Sequence, residues 1–123
     1  MRTGLLVGVA GAVGAICRYG LGMLFLPFSE GFPLGTFSAN LIGSFLLSFL
    51  AAGGIRRLTS DRAMQTAIMT GFIGSFTTFS ALSIETVTFM QEGKWGVAVL
   101  YVASSFAGGI GMAAFGRKWG GKK

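Results

Sequence analysis

The sequence predicts an all-α membrane protein of four transmembrane helices, the third of them broken. Three observations predict it. Only 14 of the 123 residues are charged, ten basic and four acidic, while 52% are hydrophobic. Three charge-free stretches, Leu34 to Ile55, Ala63 to Ile84 and Trp95 to Gly116, are each 22 residues long, against the roughly 20 that a helix needs to cross a hydrocarbon core. The third stretch crowds glycines and hydroxyl residues into its middle, which weakens a continuous helix there. A water-soluble fold is excluded, because no polar face remains to meet solvent.

The expected spans are about 4–26, 34–54, 64–89 and 95–115. In the first, Thr3 to Cys17 is apolar, Arg18 interrupts, and Tyr19 to Phe28 continues apolar. The segment from Met1 to Leu26 lacks a polar cleavage region and three spans follow it, so it reads as a span and not a signal peptide. The connections, Pro27 to Pro33, Arg56 to Arg62 and Gln91 to Lys94, are too short for a second domain. The whole chain, 1–123, therefore reads as one four-helix transmembrane unit.

Composition removes several chemistries. There is no histidine, and the single Cys17 reads as a small apolar helix residue. Cys/His nucleophiles and zinc are therefore out. Four scattered acids do not make a paired-carboxylate hydrolase, so the chain is read as not an enzyme. A net charge of +6 is not a nucleic-acid footprint here, because the basic residues lie at helix ends where they meet anionic headgroups. Four crossings put Arg2, Arg56, Arg57, Arg62, Arg117, Lys118, Lys122 and Lys123 on one side and only Lys94 on the other. That bias orients both termini to the cytoplasm of a plasma or inner membrane.

Glycine accounts for 21 residues. Small residues let helix backbones approach closely in lipid. Gly4-xxx-Gly8 and Gly11-xxx-Ala15 mark such a face on the first helix, and Ser105-xxx-Gly109-xxx-Ala113 marks one on the fourth. Four thin helices enclose little space, so a solute-moving chain of this size is expected to act as an oligomer.

Polar groups inside spans are costly and mark function by default. Arg18 sits in Gly11-Ala-Val-Gly-Ala-Ile-Cys-Arg18-Tyr19, and Asn40 in Gly35-Thr36-Phe-Ser-Ala-Asn40-Leu-Ile-Gly43. The bland reading of Arg18 is a helix-end arginine snorkelling to the interface. The third span reads Gly71-Phe-Ile-Gly74-Ser75-Phe76-Thr77-Thr78-Phe79-Ser80. A break there frees backbone carbonyls, which suit a hard cation such as Na+, while amide and hydroxyl donors suit an anion. The rival is a continuous helix with hydroxyls bonded to the preceding turn.

Three motifs, Gly11-xx-Gly14-xxx-Arg18-Tyr19, Gly35-Thr36-xxx-Asn40-xx-Gly43 and Gly71-Phe72 leading to Thr78-Phe79-Ser80, stand in order on the first three spans. Together they resemble the signatures of the CrcB/Fluc fluoride channels, and the similarity covers nearly the whole chain. The resemblance implies an antiparallel, dual-topology dimer that passes fluoride passively through two pores, with a structural Na+ at the centre. It implies that Asn40 and Phe79 line the pore, that Thr36 and Ser80 belong to its polar track, and that Tyr101 is a pore-side residue of the fourth helix. Ser105 adds a hydroxyl donor of its own. Arg18 matches the family's buried basic residue near the pore mouth and Glu85 a pore-mouth acid. Gly74 and Thr77 match the Na+ ligands, through their backbone carbonyls.

The chain departs from the pattern at Ala81 and Leu82, where the family usually has threonine and a second phenylalanine, and at Gly109, where serine is common. Together with the charge bias, this implies one subunit of a heterodimer whose homologous partner inserts in the opposite sense. A parallel assembly and a homodimer are the other arrangements. The alternatives in function are a non-conducting supporting subunit and, further off, a small multidrug exporter. The exporter needs a membrane-embedded carboxylate, which the first helix lacks.

Overall fold

A computed structural model of the chain describes residues 2–28 and 32–121. Lys122 and Lys123, counted above among the basic residues of one side, lie outside the described residues. Five helices make four crossings: α1 (Arg2–Phe25), closed by a 3-10 turn at Leu26–Phe28; α2 (Leu34–Leu58); α3 (62–76) and α4 (Phe79–Gln91), which together are the third span; and α5 (Trp95–Gly120). There is no strand among the described residues. The surface is apolar, with Leu5 71% and Ile110 70% exposed. A surface of that kind is solvated by lipid tails, and helices are the form that keeps backbone groups paired there. The chain is an all-α, multi-pass membrane protein.

Packing pairs α1 with α3 and α2 with α5. Both contacts depend on glycine. A β-carbon on Gly14 would overlap the Phe72 carbonyl, and one on Gly120 would overlap the Phe49 carbonyl. The small-residue face expected on the first helix is thus displaced. Gly4 and Gly8 have nothing near them, and the contact is made by Gly14, with Gly11 beside the Ser75 hydroxyl. The close crossing lies near the middle of α1, and Gly4 and Gly8 face away from it. On α5, Ser105 is buried, Gly109 borders Ser44, and the Ala113 carbonyl accepts from Ser48 Oγ at 2.5 Å.

The second span runs to Leu58, beyond the expected 54. A π turn at Leu50–Gly54, with Gly53 at φ 140°, bends it without ending it. Only glycine adopts that backbone readily. The bend carries Leu50 and Ile55 onto Ile73, the apolar cluster of the interior. Thr59, in extended backbone, ends the helix, and Asp61 caps α3 by accepting from the Ala63 N–H at 3.1 Å. Asp61 also pairs with Arg2, joining the start of the first span to the start of the third.

The expected break in the third span is present. Thr77 (φ −87°, ψ 155°) and Thr78 (φ −152°, ψ 116°) leave the helix, and Thr78 caps α4 by accepting from the Ala81 N–H at 3.2 Å. Its cause is narrower than the composition implied. Gly71 packs against the Val7 carbonyl and Gly74 stays helical, so the glycines do not make the break. The hydroxyls divide their roles. Thr78 caps, while Thr77 and Thr86 bond back to Ile73 and Leu82 at 3.0 and 2.7 Å, as a continuous helix would have them.

Candidate functional site

The break is held by side chains from two other spans. Asn40, midway along α2, accepts from the Thr78 N–H at 2.8 Å through Oδ1 and donates Nδ2 to the Thr78 carbonyl at 3.2 Å. The amide thus pairs with extended backbone as a neighbouring strand would. Both peptide groups of Thr78 are satisfied, and a backbone group left unpaired inside a span costs several kcal/mol. From α1, Arg18 donates Nε to the Ser75 carbonyl at 3.3 Å. That carbonyl belongs to the C-terminal turn of α3, the negative end of its dipole, where a guanidinium is favourable.

Two electrostatic ends therefore meet at Thr77 and Thr78. α4 presents the N–H groups of its first turn, at Phe79 and Ser80, and these attract anions. α3 presents carbonyls. The Thr78 N–H, which a continuous helix would give to the Gly74 carbonyl, goes to Asn40 instead. Gly74 is exposed and no neighbour approaches its α-carbon on the side-chain side. The carbonyls of Gly74 and Thr77 at the end of α3 are the kind of hard oxygen donor that Na+ takes. Among the described residues, no group of His, Cys, Asp and Glu side chains competes as a metal site.

Among the described residues there are two open clefts, one at the break and one toward the far end of α4. One, about 400 Å³, is lined by Asn40, Ser44, Thr78, Phe79, Leu82, Ser105 and Gly109. Ser105 is 9% exposed, and its hydroxyl has no hydrogen-bond partner. A serine in a helix normally bonds back to the preceding turn, as Ser104 does to the Tyr101 carbonyl at 3.2 Å. Ser105 instead keeps a free donor beside the cleft. Asn40 has one N–H beyond its bond to Thr78. Phe79, 70% exposed, stands at the cleft edge, where a ring can offer its electropositive rim.

The other cleft, about 460 Å³, is lined by Thr36, Glu85, Thr88, Glu92 and Lys94 with Phe32 and Phe89. Glu85 accepts from Tyr101 OH at 2.8 Å and from Thr36 Oγ1 at 3.3 Å. Tyr101 is wholly buried, its ring edge-on to Phe32 and Phe89 at 5.2 and 6.0 Å.

The expected residues thus divide into groups. Asn40, Phe79 and Ser105 share the first cleft, and Thr36, Glu85 and Tyr101 form one hydrogen-bonded cluster at the second. Ser80 is exposed on the first turn of α4. Arg18 borders neither cleft and reaches the break from behind. Sequence reasoning missed Ser44 and Ser48. The signal was available: Thr36, Asn40, Ser44 and Ser48 recur every four residues, one stripe of a helix. Tyr101, Ser105 and Gly109 form the facing stripe of α5.

Four apolar crossings around a helix break held by hydroxyl, amide and guanidinium groups define a small integral membrane protein with polar groups gathered at the break in its third span. A family model described as CrcB-like protein, Camphor Resistance (CrcB), matches residues 5–117, and the chain belongs to that family. It is 48% identical over 108 residues to a protein of Geobacillus kaustophilus (strain HTA426) named fluoride-specific ion channel FluC 2, covering 86% of this chain and 83% of that one. A FluC 2 of Listeria monocytogenes serovar 1/2a is 47% identical over 92% of this chain and 86% of its own. A FluC 1 of Bacillus anthracis is 46% identical over 91% of this chain and 82% of its own.

Proposed function

We propose that this chain is a subunit of a fluoride-selective channel that lets cytoplasmic fluoride leave the cell passively. The observation that carries the reading is the buried, unpartnered Ser105 hydroxyl in a cleft shared with Asn40 and Phe79. Fluoride is small and strongly hydrated, so a pore has to exchange water for hydrogen-bond donors. The Ser105 hydroxyl, the second Asn40 N–H and the Phe79 ring edge are donors without a buried acid among them. The relatives' names supply the ion. Thr36, Tyr101, Ser80 and Glu85 extend the polar track toward the second cleft. Arg18 neutralises the carbonyl end of α3 and holds the break open.

The carbonyls of Gly74 and Thr77 fit a structural Na+. When bound it supplies positive charge to the oxygen end of α3; the chain's own Asn40 and Arg18 fix where those oxygens stand. The partner is an oppositely oriented homologous subunit in the plasma or inner membrane. Both termini of this chain are cytoplasmic, as the basic residues at the ends of α2 and α5 favour. A heterodimer follows from that bias.

A second reading is favoured by one observation. Leu82 is buried and lines the Asn40 cleft, where it has no electropositive ring edge. In this reading the chain supports conduction through its partner's pore. Fluoride efflux from loaded liposomes tests both. The channel reading expects fluoride flux without chloride flux and without a proton gradient, from this chain together with an oppositely oriented homologue. Equal chloride flux refutes it. Flux that survives every cleft substitution in this chain assigns it the supporting role.

A further inference from the structure

The four acids of the chain are Glu30, Asp61, Glu85 and Glu92. Asp61 is taken by Arg2, Glu92 lies 3.7 Å from Lys94 at the other end of the bundle, and Glu85 accepts from Thr36 and Tyr101. Arg56, Arg57, Arg117 and Lys118 have no ion-pair partner among the described residues, and all four are exposed. They are nevertheless brought together. The π turn at Gly53 turns the end of α2 onto the end of α5: a β-carbon on Gly53 would lie 3.2 Å from the Gly120 carbonyl and 3.4 Å from Arg56 Nη2. Arg57 Nη2 donates to the same Gly120 carbonyl at 3.3 Å, and its guanidinium stands over the Phe49 ring at 5.8 Å. The Arg57 guanidinium thus holds the Gly120 carbonyl, and Arg56 stands on the other side of Gly53, one turn from Arg117 and Lys118. Exposed apolar side chains, Leu58, Phe115 and Trp119, adjoin them.

We propose that this junction binds the phosphate headgroup of an anionic phospholipid and so ties the end of the second span to the end of the fourth. Charge complementarity identifies the occupant. Four cations with no ion-pair partner among the described residues repel one another, and a phosphate accepts from a guanidinium fork and an ammonium together. A lipid satisfies both parts of the surface, because its acyl chains run beside Leu58, Phe115 and Trp119 while its phosphate meets the cations. A free phosphate satisfies only the second. Arg57 is already fixed by Gly120 and Phe49, so less side-chain freedom is lost on binding.

The test is native mass spectrometry of the full chain in its assembled form, released from detergent micelles with phosphatidylglycerol or phosphatidylcholine. Phosphatidylglycerol is retained in preference. Arg56→Gln with Arg57→Gln lowers that retention by roughly fivefold for each cation removed, the equivalent of about 1 kcal/mol apiece. Arg117→Gln with Lys118→Gln leaves the Arg57 bond intact and lowers it similarly. Lys94→Gln, at the opposite end and beside Glu92, leaves it unchanged. Equal retention of the two lipids overturns the proposal, as does undiminished phosphatidylglycerol in both double variants. Displacement of the lipid by millimolar glycerol 3-phosphate overturns the assignment to a lipid.

Discussion

Replacing Asn40 with aspartate separates the two roles that the geometry gives this side chain. The substitution keeps the shape and keeps an acceptor for the Thr78 N–H at 2.8 Å. It removes the donor that reaches the Thr78 carbonyl at 3.2 Å and leaves that carbonyl unpaired. The stability cost is about 1–3 kcal/mol, that of one orphaned buried acceptor. The charge is a larger effect on flux. A carboxylate about 4 Å from an anion in the cleft, at an effective dielectric near 20, raises the anion's energy by about 4 kcal/mol, or about a thousandfold in occupancy. Fluoride efflux from liposomes should therefore fall to background while the protein still purifies folded in detergent. Asn40→Ala removes both bonds to Thr78 and adds no charge, so it should lower the unfolding temperature more and the flux less. The reasoning fails if Asn40→Asp conducts at the parent rate. It also fails if the alanine variant is as stable as the parent, since Thr78 then does not depend on the clamp.

Gly14→Ala places a β-carbon against the Phe72 carbonyl; the overlap should cost about 1–3 kcal/mol in thermal unfolding, whereas Gly8→Ala, in open surroundings, should be neutral. The Arg2 guanidinium holds the Asp61 carboxyl below the usual carboxylate range. The pair's contribution is accordingly complete above the unfolded-state value near 4 and is lost as pH falls through the lower folded value. Asp61→Asn, which keeps an oxygen for the Ala63 N–H, should remove that acid-side step from a melting-temperature profile and leave neutral pH little changed, because the pair is solvent-exposed. A reporter fused after the C-terminus should be found only in the cytoplasm, and a mixed population would remove the main support for a heterodimer.

The four spans were legible because an apolar run of about 20 residues has few other uses. The break was legible as a place of weakness, but not as a mechanism. Nothing local distinguishes Thr78, which caps, from Thr77, which bonds back one turn. The difference comes from Asn40 and Arg18, 38 and 57 residues away from the backbone they hold. The π turn in the second span was invisible for a related reason. Gly53 and Gly54 read as two more small residues in a glycine-rich chain, whereas one of them carries a positive φ. The face of α1 was placed only in part, because Gly4-xxx-Gly8 and Gly11-xxx-Ala15 are equivalent as patterns, and only the crossing point of α1 and α3 selects Gly11 and, with it, Gly14. Ser44 and Ser48 were overlooked although their four-residue spacing from Asn40 was open to inspection.

The geometry of the break also bears on assembly. The cleft that holds Asn40 and Ser105 is open on one side, and Phe79, Ser80 and Gly74 are exposed around the break. In hydrocarbon, an exposed phenylalanine is harmless, but the exposed Ser80 hydroxyl and the second Asn40 N–H at the cleft are not. A single copy of this chain would leave those donors without partners at the middle of the membrane. A second subunit laid over the same face, as the proposed assembly requires, would cover those groups, and the cost of leaving them uncovered would then favour association.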